Sequence, residues 1–407
     1  MHTSFKILTL NNISDEGLQR LPAERYLVGT DIDRPDAILV RSAKMHDMQL
    51  PDSVLAVARA GAGVNNVPVA ALSQRGIPVF NAPGANANAV KELVIAGMLL
   101  GARNLCQAWN FVGHLAEEGT ALDKAVEAGK KKYVGFELPG RTLGVVGLGA
   151  IGVQVANTAL ALGMRVVGFD PLITVERAWQ LSSAVEQARN IDELFSRSDF
   201  ITVHVPLLDS TRGLVNAARI DLMPANATVL NFARGEIVDE AAVIAALADG
   251  KLAAYVCDFP SRALIGNPRV IALPHLGAST HEAETNCAVM VAENLRAYLE
   301  DGTIRHSVNF PDADVPRTGA ERITVANANV PNMVGQISTC LGDAGLNISD
   351  LLNKSRGELA YTVIDINGVA TESTLAAIRA IPGVLCVRNV GSGNPDQILK
   401  QHGAGAD

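Results

Sequence analysis

Residues 143–152 read LGVVGLGAIG, an apolar β-like run that leads straight into Gly147-Leu148-Gly149-Ala150-Ile151-Gly152 and then into a stretch of helical composition. In a strand–turn–helix of this kind each glycine has a separate task. The first makes the tight turn, the second lets a diphosphate approach the backbone, and the third allows the helix to pack closely on the strand. The free N–H groups and positive dipole end of the helix then hold the anion. The next strand, RVVGF (165–169), ends at Asp170. A carboxylate there accepts hydrogen bonds from the ribose hydroxyls of a dinucleotide. Alone, Asp170 before Pro171 reads equally well as a turn residue; the complete pattern decides for a cofactor site. Gly147, Gly149, Ala150, Ile151, Gly152 and Asp170 are its expected contacts. Asp170 repels a 2′-phosphate and no Arg follows it closely, which favours NAD over NADP.

Further strands follow at FITVHV (200–205), TVLNFA (228–233), AAYVCD (253–258) and VIALP (270–274), with helical stretches between them. With the first two they make the strand set of a doubly wound Rossmann fold. Before this block, Lys6–Leu10, Ala37–Val40, Leu55–Ala58 and Pro78–Phe80 also alternate with helices, implying a second parallel α/β unit. Ala85–Cys106 reads as one long helix. Thr280–Leu299 is helical and is expected to return to the first block, making that block discontinuous. After PDADVPRTGA (311–320), which has the composition of a linker, the chain reads β-α-β-β-α-β, the order of a ferredoxin-like unit. The expected layout is a flavodoxin-like domain at 1–96 and 282–310 and a Rossmann domain at 97–281. A ferredoxin-like domain follows the linker at 321–393, then a fraying tail at 394–407.

The chain has 407 residues, enough for two to three domains at about 150 residues each. With 48% hydrophobic and 19% charged residues it is globular rather than disordered. A net charge of −8 argues against nucleic-acid or anionic-membrane partners. The five cysteines (106, 257, 287, 340 and 386) show no CxxC pair and no metal-binding spacing, which suits buried thiols in a reducing, cytoplasmic setting and implies no metal. No apolar stretch spans a bilayer and no cleavable signal pattern opens the chain.

Transfer of a hydride at a carbon bearing oxygen needs an acid/base for the oxygen and a cation for an adjacent carboxylate. His275 in LPHLGAST and Arg234 in NFARGEIVDE both follow strands of the nucleotide block, where ligands bind in open α/β sheets. On position alone, His275 reads equally as a structural strand-end histidine, and Arg234 as half of a surface ion pair with Asp239 or Glu240.

GLGAIG, FDP (169–171), TVHVPLLDSTRGLVN (202–216), NFARGEIVDE and PHLGAST together resemble the D-isomer-specific 2-hydroxyacid dehydrogenases. They most resemble the branch that oxidises 3-phospho-D-glycerate to 3-phosphooxypyruvate with NAD at the start of L-serine synthesis. The resemblance gives Arg234 the task of binding and polarising the 2-oxo acid, and His275 that of acid/base. It places Asp258 at the nicotinamide end and has Phe232, Ala233, Leu276, Gly277 and Ala278 line the cofactor. In the first block, Arg59, Gly61, Ala62, Gly63 and Val64 resemble the loop whose N–H groups hold the substrate carboxylate, and Arg41, Ser42 and Lys44 the positions that meet a phosphate. Asn86 matches a substrate-side asparagine. Lys130–Lys132 resemble a basic site reaching a neighbouring subunit, and read otherwise as a solvated face. One departure stands out: Ala263, beside Arg262, occupies the position of the family's catalytic glutamate, in a shortened loop.

The C-terminal unit resembles an ACT domain, an amino-acid-sensing module. Asn329 and Asn347 match the asparagines that grip the effector, L-serine foremost; Asn327 and Asn332 replace the family's effector His and a nearby Gly. The resemblance also implies a homodimer or homotetramer. Its rivals are a dehydrogenase for another small anionic 2-hydroxy acid (glycerate, lactate or 2-hydroxyglutarate) and an NAD-sensing corepressor-like protein.

Overall fold

A computed structural model describes residues 4–319 and 321–391. The expected tail at 394–407, residue 320 of the expected linker and residues 392–393 lie outside the described residues. The chain forms two compact units, one running up to Asn86 and resuming at Glu284, the other from Ala87 to Ala283.

The first unit is built on two sheets. Strands β1 (Phe5–Leu10), β2 (Tyr26–Gly29), β3 (Ala37–Val40), β4 (Ala56–Arg59) and β5 (Val79–Phe80) pair in the order β2-β1-β3-β4-β5, all parallel. This is the flavodoxin-like order. All four residues of β3 are buried, as a strand covered on both faces requires. One face packs on the helix His281–Asp301 through Cys287, Val291, Leu295 and Tyr298. The other carries Ile38, Val40, Val57 and Val79 against Met45 and Leu72.

In the second unit β6 (Thr142–Val146), β7 (Arg165–Phe169), β8 (Glu186–Gln187), β9 (Phe200–Val203), β10 (Ala227–Asn231), β11 (Leu252–Cys257) and β12 (Val270–Ala272) form one parallel sheet. Its order is β12-β11-β10-β9-β6-β7-β8. Counted from β6, this is the Rossmann 3-2-1-4-5-6 order with one further edge strand. The order reverses between β6 and β9, and the crevice beyond that switch point is where such sheets bind ligands.

The expected boundary at 96/97 is corrected by the helix Ala87–Arg103. Val90, Val94, Met98 and Ala102 recur at helical spacing and are buried with Leu230 and Val256 of the second unit, so the whole helix belongs there. The single helix expected over Ala85–Cys106 is broken at Asn104, whose φ of +51° starts a second helix, Leu105–Gly113.

The third sheet contains β13 (Glu321–Ala328), β14 (Asn347–Arg356), β15 (Leu359–Asn367) and β16 (Val384–Gly391), antiparallel in the order β14-β15-β13-β16. Ile323, Val325, Ile364 and Ile366 point to the helices Met333–Asp343 and Glu372–Arg379. The alternate residues Ala326, Tyr361 and Val363 face the other way and join the core around Tyr298 and Phe310. This sheet is therefore fused to the first unit rather than held apart from it. The segment expected as a linker is packed too. Ala313 is 1% exposed and bridges to Ile304. The carbonyl of Val315 accepts from Arg322, which is buried in a bidentate pair with Asp365 (2.6 and 2.9 Å). Arg388 lies over the Tyr298 ring at 4.3 Å and donates to the carbonyls of Tyr298 and Leu299. Among the described residues no helix is long and apolar enough to cross a membrane.

Candidate active site

The turn after β6 has the geometry its glycines imply. Gly147 has φ +90°, and a Cβ there would lie 2.8 Å from the carbonyl oxygen of His204. A Cβ on Gly152 would lie 1.9 Å from the carbonyl oxygen of Gly147, so only glycine lets the helix Ala150–Ala161 start so close to the strand. Gly149 caps that helix without any side-chain cap. Among the described residues the N–H groups of Gly149, Ala150 and Ile151 donate to nothing, which leaves a free anion-binding helix end. A dinucleotide diphosphate fits this arrangement. Asp170 follows β7, its carboxylate fixed by the N–H groups of Leu148 (2.8 Å) and Leu172 (2.9 Å).

His204 was missed from the sequence. It follows β9 at the switch point, its Nε2 3.0 Å from Thr202 Oγ1. Burial pushes its pKa down to about 3, so it stays neutral beside the cofactor turn. Its place after an apolar strand was the available signal.

Arg234 follows β10 and is half-buried. Its turn is built by Asn231, which is fully buried: Asn231 Oδ1 accepts from Ala233 N–H (3.1 Å) and Nδ2 donates to the Arg234 carbonyl (2.8 Å). Arg234 Nη1 donates to the Ala233 carbonyl at 2.6 Å. The alternative of a surface ion pair is not realised. Asp239 caps the helix Glu240–Ala248 instead, and among the described residues no carboxylate pairs with Arg234. Phe232, expected to line the cofactor, is 7% exposed and its side chain packs in the core with Val94 and Met98.

His275 follows β12 and is exposed, with φ +58°. Its ring meets that of Phe259 at 5.1 Å, interplanar angle 59°. The turn is held from below by Asp258, which is 1% exposed and whose two oxygens accept from Leu276 N–H (2.8 Å) and Gly277 N–H (2.7 Å). Asp258 thus serves as the anchor of the His275 turn; both carboxylate oxygens are already occupied by backbone. Leu276 is exposed, Gly277 buried and Ala278 half-buried. Ala263 and Arg262 are exposed on a compact turn that starts at Ser261, and among the described residues no acid hydrogen-bonds to His275.

The first unit holds the remaining candidates. After β4, the N–H groups of Ala62, Gly63 and Val64 donate to nothing among the described residues. Arg59 folds back over this loop: its Nε donates to the Arg41 carbonyl (2.9 Å), and its guanidinium occupies the space a Cβ on Gly61 would need. Arg41 is ion-paired with Glu284. Ser42 N–H donates to Asn11 Oδ1 (3.2 Å), and Lys44 is exposed. Asn86 Oδ1 is buried without a hydrogen-bond partner. Of Lys130–Lys132, Lys130 pairs with Glu127.

Residues 96–277 match the family model for the D-isomer specific 2-hydroxyacid dehydrogenase, NAD binding domain. D-3-phosphoglycerate dehydrogenase of Escherichia coli is 34% identical over 80% of this chain and 79% of its own length. The chain belongs to the D-isomer-specific 2-hydroxyacid dehydrogenases. D-3-phosphoglycerate dehydrogenase of Methanocaldococcus jannaschii is 36% identical over 87% of this chain and 67% of its own length. The NAD+-bound 3-phosphoglycerate dehydrogenase structure from Entamoeba histolytica superimposes with a TM-score of 0.58 at 27% identity, covering 75% of this chain and 99% of that one. This 2-hydroxyacid dehydrogenase chain spans between 53% and 79% of the length of the curated relatives it matches.

As a family member with an acid fixed at the end of β7, the protein should favour NADH over NADPH by roughly tenfold or more in kcat/KM, about 1.4 kcal/mol. Steady-state rates with both cofactors check this; equal values would remove Asp170 from the ribose site.

The two effector candidates do not meet within one chain. Asn329 follows β13 and donates from Nδ2 to the Gly357 carbonyl at 3.0 Å, at the hairpin end of the sheet. Asn347 opens β14 opposite Asn367, at the other end. Eight strand residues lie between these ends, roughly 26 Å at about 3.3 Å per residue.

Proposed function

We propose that this protein oxidises 3-phospho-D-glycerate to 3-phosphooxypyruvate with NAD, the first step of L-serine biosynthesis, in the cytoplasm. The observation that carries the reading is one sheet edge: the Gly147–Gly152 turn, Arg234 and the anchored His275 follow β6, β10 and β12 at the C-terminal ends of parallel strands. When bound, NAD supplies the acceptor for the hydride that leaves carbon 2. Neutral His275 takes the proton of the carbon 2 hydroxyl as its oxygen becomes a carbonyl. Arg234 stabilises the growing charge on that oxygen and holds the neighbouring carboxylate. Within the first unit, the free N–H groups of Ala62–Val64 suit a carboxylate, and Arg41, Ser42 and Lys44 a phosphate. Purified protein given NADH and 3-phosphooxypyruvate should consume the NADH; no consumption with any 2-oxo acid would leave the corepressor-like alternative.

The Arg41–Glu284 pair favours a second reading, an unphosphorylated 2-hydroxy acid, because a neutralised Arg41 has less attraction for a second anion. One experiment separates the two. If phosphate is read here, Glu284→Gln frees Arg41 and lowers KM for 3-phosphooxypyruvate, while Arg41→Ala raises it by about 10- to 100-fold, the worth of a charge-assisted bond at about 1.5–3 kcal/mol. KM for an unphosphorylated 2-oxo acid should hardly move in either variant. Equal effects on both substrates would support the second reading.

An amino-acid effector, L-serine first, belongs to the proposal as a ligand of the ACT-like sheet. Asn329 and Asn347 stand at opposite ends of one sheet, so a ligand gripped by both needs two copies related by a twofold axis. A homodimer, or a tetramer built from it, is the assembly this reading implies.

A further inference from the structure

Within the first unit, a cleft of about 530 Å³ opens where three pieces of chain converge: Asn81 and Pro83 after β5, the segment from His306 to Asp312, and the hairpin residues Ser355 and Arg356. That volume lies in the range of small-molecule sites. Its walls mix apolar residues (Pro83, Val308, Pro311) with two opposite charges, Arg356 and Asp312. Arg356 Nη1 donates to the Ser307 carbonyl at 2.7 Å, which fixes the guanidinium, and among the described residues no carboxylate pairs with it. Asp312 Oδ1 accepts from the His306 N–H at 2.9 Å, which fixes the carboxylate, and among the described residues no Lys or Arg pairs with it. Each charge is anchored to backbone, and neither neutralises the other.

The backbone around the cleft is bent to make this arrangement. His306 has φ +57°, uncommon for a residue with a side chain. In that conformation its N–H meets Asp312 while its carbonyl accepts from Asn81 N–H at 3.2 Å. Asn81 in turn donates from Nδ2 to the Ala62 carbonyl at 2.6 Å. Ala82 N–H holds the neighbouring Gly61 carbonyl at 3.0 Å. The cleft is thus one residue away from the loop whose free N–H groups suit a substrate carboxylate. Its far wall belongs to the ferredoxin-like sheet.

We propose that this cleft binds a small free α-amino acid, its carboxylate on Arg356 and its ammonium group on Asp312, and that occupancy is passed through Asn81 to the Ala62 loop. A zwitterion satisfies both fixed charges at once, whereas a simple anion would face Asp312 and a simple cation would face Arg356. Neither Asn329 nor Asn347 lines the cleft.

Calorimetric titration of the full chain with each standard amino acid, beginning with glycine and L-serine, tests the proposal without relying on turnover. It therefore stands or falls apart from the dehydrogenase reading. At least one amino acid should bind. Asp312→Asn keeps an acceptor for the His306 N–H, so it preserves the fold while removing the charge, and it should weaken binding at least about tenfold. Arg356→Gln should do the same, with a thermal melt to show that the chain remains folded. Asn347→Ala, at the other end of the sheet, keeps this site distinct from the effector reading above: the binding that Asp312→Asn weakens should persist in it. Absence of binding by every amino acid overturns the proposal. So does wild-type affinity in Asp312→Asn, or loss of binding in Asn347→Ala alone, which would move the ligand to the sheet ends.

Discussion

His275→Asn should lower kcat by about 10²–10⁴-fold, the usual worth of a positioned general acid/base, while leaving the fold and NADH affinity unchanged. The imidazole is exposed, its ring touches that of Phe259, and it holds no other part of the chain. Its removal therefore costs little stability, within about 0.5 kcal/mol as for an ordinary surface site. Asparagine is the suitable replacement because position 275 has φ +58°, a conformation asparagine tolerates better than most residues. Three measurements together make the test: kcat in both directions, a thermal melt, and NADH binding by fluorescence. Retention of more than a tenth of wild-type kcat, with melt and binding unchanged, would take proton transfer away from His275. No acid hydrogen-bonds to this histidine among the described residues, so its removal breaks no ion pair and isolates the loss of proton transfer.

The parts of this fold that were legible in the sequence are those where burial on both faces forces an unbroken apolar run. Ala37–Val40 and Phe200–Val203 are buried at every residue and read as strands without ambiguity. The ferredoxin-like unit was equally plain, because its strands alternate between two buried faces. The strand Tyr26–Gly29 was not found: it lies at a sheet edge, Leu27 is 53% exposed, and only four residues carry the signal. The boundary near residue 96 failed for another reason. The helix Ala87–Arg103 is apolar over most of its length, and composition does not say which unit will bury it.

Around the candidate site, residue types were readable and directions were not. Phe232 stands two residues before Arg234 in sequence, yet its side chain is packed in the core. Arg41 was readable as a cation near an anionic ligand, but its partner Glu284 is distant in sequence and is brought to it only by the helix that returns to the first sheet. The same limit applied to Asn329 and Asn347. Both match asparagines that grip an effector, but the sequence did not say that the folded sheet puts them at opposite ends.

Asp258→Ala should destabilise the protein and lower kcat together, in contrast to His275→Asn. The carboxylate is 1% exposed, and each of its oxygens is the acceptor for one N–H of the turn that follows His275. Alanine leaves the N–H groups of Leu276 and Gly277 without these acceptors, and Gly277 is buried. Each group left unsatisfied costs about 1–3 kcal/mol, enough to lower the melting temperature by several degrees. With the turn released, His275 loses its fixed position, and a displacement of about 1 Å at a reacting group is enough for a 10²-fold loss in rate. Asp258→Asn should fall between alanine and wild type, because its amide keeps one acceptor oxygen but turns an N–H₂ toward the other backbone donor. The double variant gives the decisive comparison. If Asp258 acts only through the position of His275, adding Asp258→Ala to His275→Asn lowers kcat no further, although stability still drops by the full amount. If instead the double variant loses a further tenfold or more in kcat, or Asp258→Ala abolishes NADH binding while the melt is unchanged, then Asp258 meets the nicotinamide directly. In that case the backbone bonds that occupy its two oxygens must be exchanged when the cofactor enters.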